Sequence, residues 1–184
     1  MLVLASKSPR RRELLSLYTE DFKIDVSNAH EPCFSGGDVG EYVKTLAEIK
    51  ASEVSLRHPE DIVIGADTVV AFEGVVLGKP RDEAHAKEML SSMSGKAQEV
   101  YTGICVITKD RIIRDAVKTE VCFRTLSDAE IDAYIATGES LDKAGAYGIQ
   151  GGAGEFVNRV KGDYFNVVGL PMKRLCEILE ELKG

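Results

Sequence analysis

The stretch LASKSPRRRELL, residues 4–15, reads as the end of a strand, a tight loop and the start of a helix. Ser8 is a typical N-cap residue, and Pro9 suits the first helical position because its missing N–H would have no partner there. Leu14 and Leu15 then begin an apolar helix face. We therefore expect the chain to pass from strand to helix at Ser8.

The first turn of this helix carries three arginines, Arg10–Arg12, at the positive end of the helix dipole. Each loses on the order of 0.3 kcal/mol there unless something compensates. A bound anion would compensate, because exposed N–H groups, the hydroxyls of Ser6 and Ser8, Lys7 and the guanidinium groups together form a phosphate cradle. A solvated basic patch is the alternative. Successive helical residues point about 100° apart, so the three arginines cannot all face one ligand.

Length and charge limit the possible classes of protein. The 184 residues suit one domain, predicted over residues 1–184, and the composition is that of a globular protein, with 44% hydrophobic and 29% charged residues. A net charge of −7 argues against nucleic acid as the main partner. No apolar run is long enough to span a membrane, so we expect a cytoplasmic protein without a membrane partner. The four cysteines lack metal-ligand spacing and are predicted to be buried free thiols, and the three histidines also lack that spacing.

The segment IVIGADTVVAF, residues 62–72, is apolar on both faces and predicts a central strand. Asp67 interrupts this strand. An ionised carboxylate is costly there unless it is paired, hydrogen-bonded or bound to a metal. Glu73 and Gly74 predict a hairpin turn into a short strand.

Helices are predicted over residues 39–56, 82–93 and 171–182, with another between the capping box at Ser127 and the stop at Gly138. Lys50 lies on or near the inner face of the first of these. Strands are predicted over residues 22–26, 75–77, 100–108, 111–123 and 156–160. Five glycines fall within residues 145–154 without strand or helix periodicity, which favours a ligand-contacting loop over a plain connector.

Together, the basic helix start, the isolated carboxylates Glu31 and Asp67, and the lysines Lys50 and Lys79 suit phosphoryl chemistry. Magnesium prefers oxygen ligands, and one or two carboxylates plus substrate phosphates suffice to hold it. A carboxylate can also orient or deprotonate an attacking water. Composition and spacing leave open which phosphate is attacked and which base is read.

Five blocks in order carry a resemblance over nearly the whole chain. They are LASKSPRRRELL (4–15), GADTV (65–69), GKP (78–80), YTG (101–103) and DKAGAYGIQG (142–151). In these blocks the chain resembles the Maf family of nucleoside triphosphate pyrophosphatases. The resemblance implies an α/β fold with a long curved mixed sheet flanked by helices and two lobes around a central cleft, like inosine triphosphate pyrophosphatase. It also implies hydrolysis of a nucleoside triphosphate to the monophosphate and pyrophosphate, a divalent cation (Mg²⁺ or Mn²⁺), and a homodimer.

Site residues follow by position from the same resemblance. Asp67 would be the proton acceptor, and Glu31 with Asp67 would hold the metal. The phosphate-binding residues would be Ser6, Arg11, Lys50 and Lys79.

The residues expected to set specificity are Arg10, Thr68 and Gln150, which match the subgroup acting on dTTP and UTP rather than the one acting on 7-methyl-GTP. A glutamine amide can pair with the donor and acceptor edge of uracil or thymine. Two positions depart from the family pattern: His30 stands where an acidic residue is usual, which puts a second metal in doubt, and Gln98 stands where many relatives have histidine.

Three alternative functions are compatible with the sequence. The chain could catalyse the same reaction on another base, such as 7-methyl-GTP. It could be a non-catalytic, nucleotide-binding regulator of cell division. Nucleic-acid binding through Arg10–Arg12 ranks last because of the acidic net charge.

Overall fold

The computed structural model describes residues 1–182 and contains seven strands and six α-helices in that range. The strands are β1 (Leu2–Leu4), β2 (Phe22–Ile24), β3 (Ile62–Phe72), β4 (Val75–Leu77), β5 (Ala97–Ile107), β6 (Ile112–Phe123) and β7 (Val157–Lys161). The helices are α1 (Pro9–Ser16), α2 (Val39–Ser55), α3 (Glu83–Met93), α4 (Asp128–Ala136), α5 (Tyr164–Val168) and α6 (Met172–Glu181).

All seven strands belong to one mixed sheet with the order β2-β1-β3-β5-β6-β7, and β4 pairs with β3. β1 is parallel to both β2 and β3, whereas β4 and β7 pair antiparallel with β3 and β6. β3 lies inside the sheet, as its apolar character on both faces predicts. The α/β class and the mixed sheet flanked by helices are confirmed, while the curvature of the sheet and the cleft stay predictions.

The chain divides into two compact units. The first contains Met1–Thr68, Tyr101–Val117 and the described chain from Phe165 onward, and the second contains Val69–Val100 and Lys118–Tyr164. The four boundaries fall within β3, β5, β6 and α5. The single domain over residues 1–184 stays a prediction.

In the first unit, α2 lies directly on the sheet because two glycines leave room for its backbone. A Cβ at Gly65 of β3 would lie 2.2 Å from the Ala47 carbonyl oxygen, and a Cβ at Gly103 of β5 would lie 2.1 Å from the Val43 carbonyl oxygen. Small side chains, including Ala47 and Ala51 of α2, continue this close packing. The buried cluster formed by α2 and the sheet is Val3, Ala5, Ala47, Ala51, Val54, Val63, Cys105 and Ile107.

In the second unit, aromatic rings pack within and beside residues 145–154, the glycine-dense segment. Phe123 packs edge-on against Tyr147, with ring centroids 4.8 Å apart, and Phe156 packs against Tyr134 at 5.3 Å. The glycine-dense segment forms neither strand nor α-helix, as expected. Single 3₁₀ turns cover Glu139–Asp142, Ala144–Ala146 and Gly152–Phe156.

Local signals in the sequence are confirmed where the backbone conformation depends on them. Ser8 caps α1 with Pro9 at the first position, and Ser127 and Glu130 form the predicted capping box. Glu73 and Gly74 both have positive φ (48° and 80°), as a two-residue hairpin requires. Most predicted boundaries lie within about three residues of those observed.

One helix was not predicted, and one expectation is wrong in part. The short helix α5 has only five residues, too few to show a helical period. The thiols were expected to be buried, but only Cys105 is buried, while Cys122 and Cys176 are half-buried and Cys33 is exposed in the segment before α2. All four thiols are free, as predicted, and burial raises the pKa of Cys105 to about 12.

Within residues 1–182, no helix combines the length and the apolar character needed to cross a bilayer.

Candidate active site

The loop between β1 and α1 folds around two serine hydroxyls. Ser8 Oγ accepts a hydrogen bond from the Arg11 backbone N–H at 3.4 Å, which caps α1. Ser6 Oγ accepts from the Ser8 backbone N–H at 3.2 Å, and Ser6 is buried at 7% exposure. Both hydroxyls therefore fix the start of the helix that the arginines occupy.

Arg11 connects this loop to two distant parts of the first unit. Its guanidinium donates from Nη1 to Ser6 Oγ at 3.2 Å, from Nη2 to Thr68 Oγ1 at 3.1 Å, and from Nε to the Gly169 carbonyl at 2.8 Å. Burial lowers the pKa of Arg11 below its ordinary value, while the negative charges of Asp67 and Glu31 oppose that shift. Arginine still keeps its proton at neutral pH, so the charge remains available to an anion.

Thr68 lies in the middle of a chain of hydroxyl contacts. Its Oγ1 is 2.8 Å from Thr102 Oγ1, and Thr102 Oγ1 donates to the Asn166 carbonyl oxygen at 2.9 Å. Thr102 is fully buried. The position of Thr68 is thus fixed by Arg11 on one side and by β5 on the other.

Asp67 meets a lysine from α2. Gly65 and Asp67 share one face of β3 because strand residues alternate, and this is the face against which α2 packs. Lys50 Nζ donates to Asp67 Oδ1 and forms an ion pair with Glu31 Oε2 at 3.2 Å. The side chains of Lys50 and Asp67 are each only 15% exposed, whereas Glu31 is 44% exposed. The expectation that a carboxylate within this strand is paired is confirmed.

The segment that carries Glu31 is held against α2 by Tyr42. The Tyr42 hydroxyl donates to the Pro32 carbonyl oxygen at 2.9 Å, and its ring packs against Phe34 at a centroid distance of 5.1 Å. Burial raises the pKa of Tyr42, and the negative charge of Asp67 adds to that shift. Tyr42 therefore keeps its proton at neutral pH and remains the donor.

Seven of the nine predicted site residues belong to the first unit. Six of them form two groups, which are linked because Asp67 and Thr68 are neighbours in the sequence. The seventh, Arg10, lies half-buried on α1 beside Arg11. The first group contains Glu31, Lys50 and Asp67, and the second contains Ser6, Arg11 and Thr68.

The other two predicted residues, Lys79 and Gln150, belong to the second unit. Lys79 Nζ forms an ion pair with Asp142 Oδ1 at 2.9 Å, and both side chains are exposed. The Gly145 backbone N–H donates to the Gly78 carbonyl oxygen at 3.1 Å, so the loop before Lys79 adjoins the glycine-dense segment. Gln150 is exposed within that segment.

Two carboxylates, those of Glu31 and Asp67, are the candidate metal ligands. Across residues 1–182, no group of three or more His, Cys, Asp or Glu side chains is arranged to hold a metal ion. One carboxylate oxygen each of Glu31 and Asp67 nevertheless lies close to the same positively charged atom, Lys50 Nζ.

Three residues that hold the site together, Thr102, Gly169 and Tyr42, were not among the predicted site residues. Thr102 falls within the quoted block YTG, so a signal existed for it. Gly169 contributes a backbone carbonyl, which no side-chain pattern can reveal. Tyr42 lies on a helix, and its hydrogen-bond acceptor, Pro32, lies in a segment without regular structure.

The family model described as "Maf-like protein" matches residues 1–182. The chain belongs to this family. A dTTP/UTP pyrophosphatase of Bacillus cereus strain AH187 is 49% identical over 180 residues, covering 98% of this chain and 94% of the relative. A dTTP/UTP pyrophosphatase of Bacillus cytotoxicus is 49% identical over 179 residues, covering 97% and 94%.

Among solved structures, a HAM1 protein from Coxiella burnetii has a similar fold to this Maf-like chain. The TM-score is 0.51 at 13% identity, and the match covers 98% of each chain. At that identity the likeness concerns the fold alone, and it agrees with the predicted fold class.

Proposed function

We propose that this chain hydrolyses dTTP and UTP to the nucleoside monophosphate and pyrophosphate. The observation that carries the proposal is 49% identity over 98% of the chain to a relative named dTTP/UTP pyrophosphatase. The grouping of Ser6, Arg11, Lys50 and Asp67 in one unit supports it, because cationic and hydroxyl donors beside a carboxylate suit attack on a phosphate.

Asp67 is proposed as the proton acceptor for the attacking water. It is held on an inner strand, and its charge is balanced by Lys50, which fixes the carboxylate in one place. A carboxylate held in this way can take a proton as the water attacks.

A divalent cation, Mg²⁺ or Mn²⁺, is proposed at Glu31 and Asp67. Both side chains offer the oxygen donors these ions prefer, and both already approach one positive charge. When bound, the ion would stabilise negative charge on the phosphate oxygens and lower the pKa of water. Glu31 and Asp67 would hold the ion, and Tyr42 would keep the segment carrying Glu31 in place.

Phosphate binding is proposed for Ser6, Arg11, Lys50 and Lys79. Three of the five N–H groups of the Arg11 guanidinium are used by its contacts to the protein, so two are left for a phosphate oxygen. Lys50 and Lys79 supply flexible positive charges, and each is paired with a carboxylate in this structure.

Base selection is proposed for Arg10, Thr68 and Gln150. The amide of Gln150 offers one donor and one acceptor, which matches the N3–H and O4 edge of uracil and thymine. Cytosine presents the opposite pattern at this edge, so the same amide orientation cannot satisfy it.

A nucleotide panel tests this function. Purified protein with Mg²⁺ and each of dTTP, UTP, CTP, GTP, ATP and 7-methyl-GTP should release pyrophosphate fastest from dTTP and UTP, with the monophosphate in equal amount. Faster release from 7-methyl-GTP would overturn the base assignment. Nucleotide binding without any product would overturn the enzymatic function in favour of a regulator.

We propose further that the protein acts in the cytoplasm as a homodimer, as its resemblance to the family implies. Light scattering of the purified chain, with an expected mass of about twice 20.0 kDa, tests the assembly. A mass of one chain at micromolar concentration would contradict it.

A further inference from the structure

Gln150 lies at the third position of a four-residue turn. The Gly151 backbone N–H donates to the Gly148 carbonyl oxygen at 3.0 Å, which closes the turn around Ile149 and Gln150. The Gln150 side chain is exposed. The position of an exposed side chain on such a turn depends on how firmly the chain on either side of the turn is held.

The chain before the turn is anchored by a buried pair of polar side chains. Tyr147 is 6% exposed, and its hydroxyl accepts a hydrogen bond from Gln98 Nε2 at 3.3 Å. Gln98 lies on β5 and is 1% exposed, and its Oε1 has no hydrogen-bond partner within the described chain. A buried amide that is only half satisfied is a costly choice for a core position. The hydrogen bond to Tyr147 offsets part of this cost and links Gln98 to the chain before the turn.

Two further features make Tyr147 a firm anchor. Its ring packs edge-on against Phe123 at 4.8 Å. Burial raises its pKa to about 12, so the hydroxyl stays neutral at physiological pH. Two residues earlier, a Cβ at Gly145 would lie 3.2 Å from Val70 Cγ1, so the backbone also packs tightly there.

The chain after the turn is anchored by a carboxylate. The Gly152 backbone N–H donates to Glu139 Oε2 at 3.1 Å. A Cβ at Gly151 would lie 2.2 Å from the same oxygen, so the carboxylate rests directly against the turn. Gln150 thus lies between two tethered points, Tyr147 and Gly152.

We propose that Gln98 and Glu139 are positioning residues that set the base selectivity of Gln150 by tethering the two flanks of its turn. The proposal rests on the proposed function, in which Gln150 reads the base. Hydrogen-bond discrimination between uracil and cytosine depends on the direction of one amide. Releasing either tether should weaken selectivity more than it weakens turnover of the preferred substrate.

Kinetics with a conservative partner variant test this inference. For Glu139→Ala we expect the ratio of kcat/KM for UTP over CTP to fall about tenfold, less than the roughly hundredfold effect of a 1 Å misplacement, because Tyr147 still holds the other flank of the turn. Glu139→Gln should keep the ratio, because its amide oxygen accepts the same hydrogen bond from Gly152. Gln98→Leu should also lower the ratio. Equal ratios in wild type, Glu139→Ala and Glu139→Gln would overturn the inference.

Amide hydrogen exchange separates this inference from the proposed function. Exchange in residues 148–152 should accelerate in Glu139→Ala and stay at the wild-type rate in Glu139→Gln, whether or not the protein hydrolyses nucleotides. Unchanged exchange in Glu139→Ala would refute the tether itself. Accelerated exchange in a protein that hydrolyses neither UTP nor dTTP would leave the tether supported but refute both the proposed function and the role in selectivity.

Discussion

At the scale of single residues, Arg11 has two roles. Its guanidinium group is proposed to bind phosphate, and the same group links β3, the loop between β1 and α1, and Gly169. Arg11→Lys should lower the free energy of unfolding by about 2 kcal/mol, since one ammonium cannot reproduce three forked hydrogen bonds from a charged donor. Urea denaturation measures the change. The matched control is Arg12→Lys, at an exposed position on the same helix, which should change stability by less than about 0.5 kcal/mol. Equal effects of the two variants would contradict this role for Arg11.

The ion pairs of Asp25 give stability a pH dependence. Hydrogen bonds from Arg57 and then His58 lower the pKa of Asp25 to about 2. Because the folded pKa lies below the unfolded value of about 3.9, the contribution of Asp25 is fully present above pH 4 and is lost as the pH falls toward 2. In Asp25→Asn the melting temperature should be lower than that of wild type at pH 6, and the difference should shrink between pH 4 and pH 2. A difference that stays constant over this range would contradict the assignment.

The pairing of a residue could be predicted where its neighbours in the sequence make an unpaired charge energetically unfavourable. A carboxylate within an apolar strand needs a partner, and Asp67 has one in Lys50. The contact of Arg11 with Gly169 could not be predicted, because 158 positions separate the two residues and the acceptor is a backbone carbonyl.

At the scale of elements, the close approach of α2 to the sheet places Lys50 beside Asp67. Gly65→Ala would put a methyl group 2.2 Å from the Ala47 carbonyl oxygen, so the helix must move away. We expect a loss of about 1–3 kcal/mol in unfolding free energy, as for other overpacked sites. We also expect reduced turnover, because α2 carries Lys50.

Gly78→Ala is the matched control for this change. No atom lies within 4 Å of a Cβ at Gly78, so the variant should have near wild-type stability. Thermal unfolding of both variants makes the comparison. Equal stability of Gly65→Ala and wild type would show that α2 does not depend on this glycine.

Caps, turns and strand periodicity follow from neighbouring residues, which is why Ser8, the Glu73–Gly74 turn and β3 could be predicted. The parallel pairing of β1 with β2 and β3 depends on contacts distant in sequence, and no local pattern specifies it. The same reason explains the tethers of the glycine-dense segment. Gln98 shows its role only when Tyr147, 49 positions away, is placed against it.

At the scale of the whole molecule, removal of divalent cations should abolish catalysis without unfolding the protein. The fold is held by packed cores in each unit, and the candidate metal ligands are two side chains already balanced by Lys50. EDTA should therefore stop pyrophosphate release, and excess Mg²⁺ should restore it, with little change in melting temperature. Full activity in EDTA would refute the metal at Glu31 and Asp67.

Asp67 is the proposed proton acceptor in the hydrolysis of dTTP and UTP by this chain. The most direct test compares pyrophosphate release from UTP by wild type, Asp67→Asn and the exposed control Asp132→Asn, whose carboxylate pairs with Lys87 on the second unit. We predict that Asp67→Asn loses at least about a hundredfold in kcat, as expected for loss of a general base, while Asp132→Asn matches wild type. Wild-type turnover in a folded Asp67→Asn protein would contradict the role of Asp67 as proton acceptor.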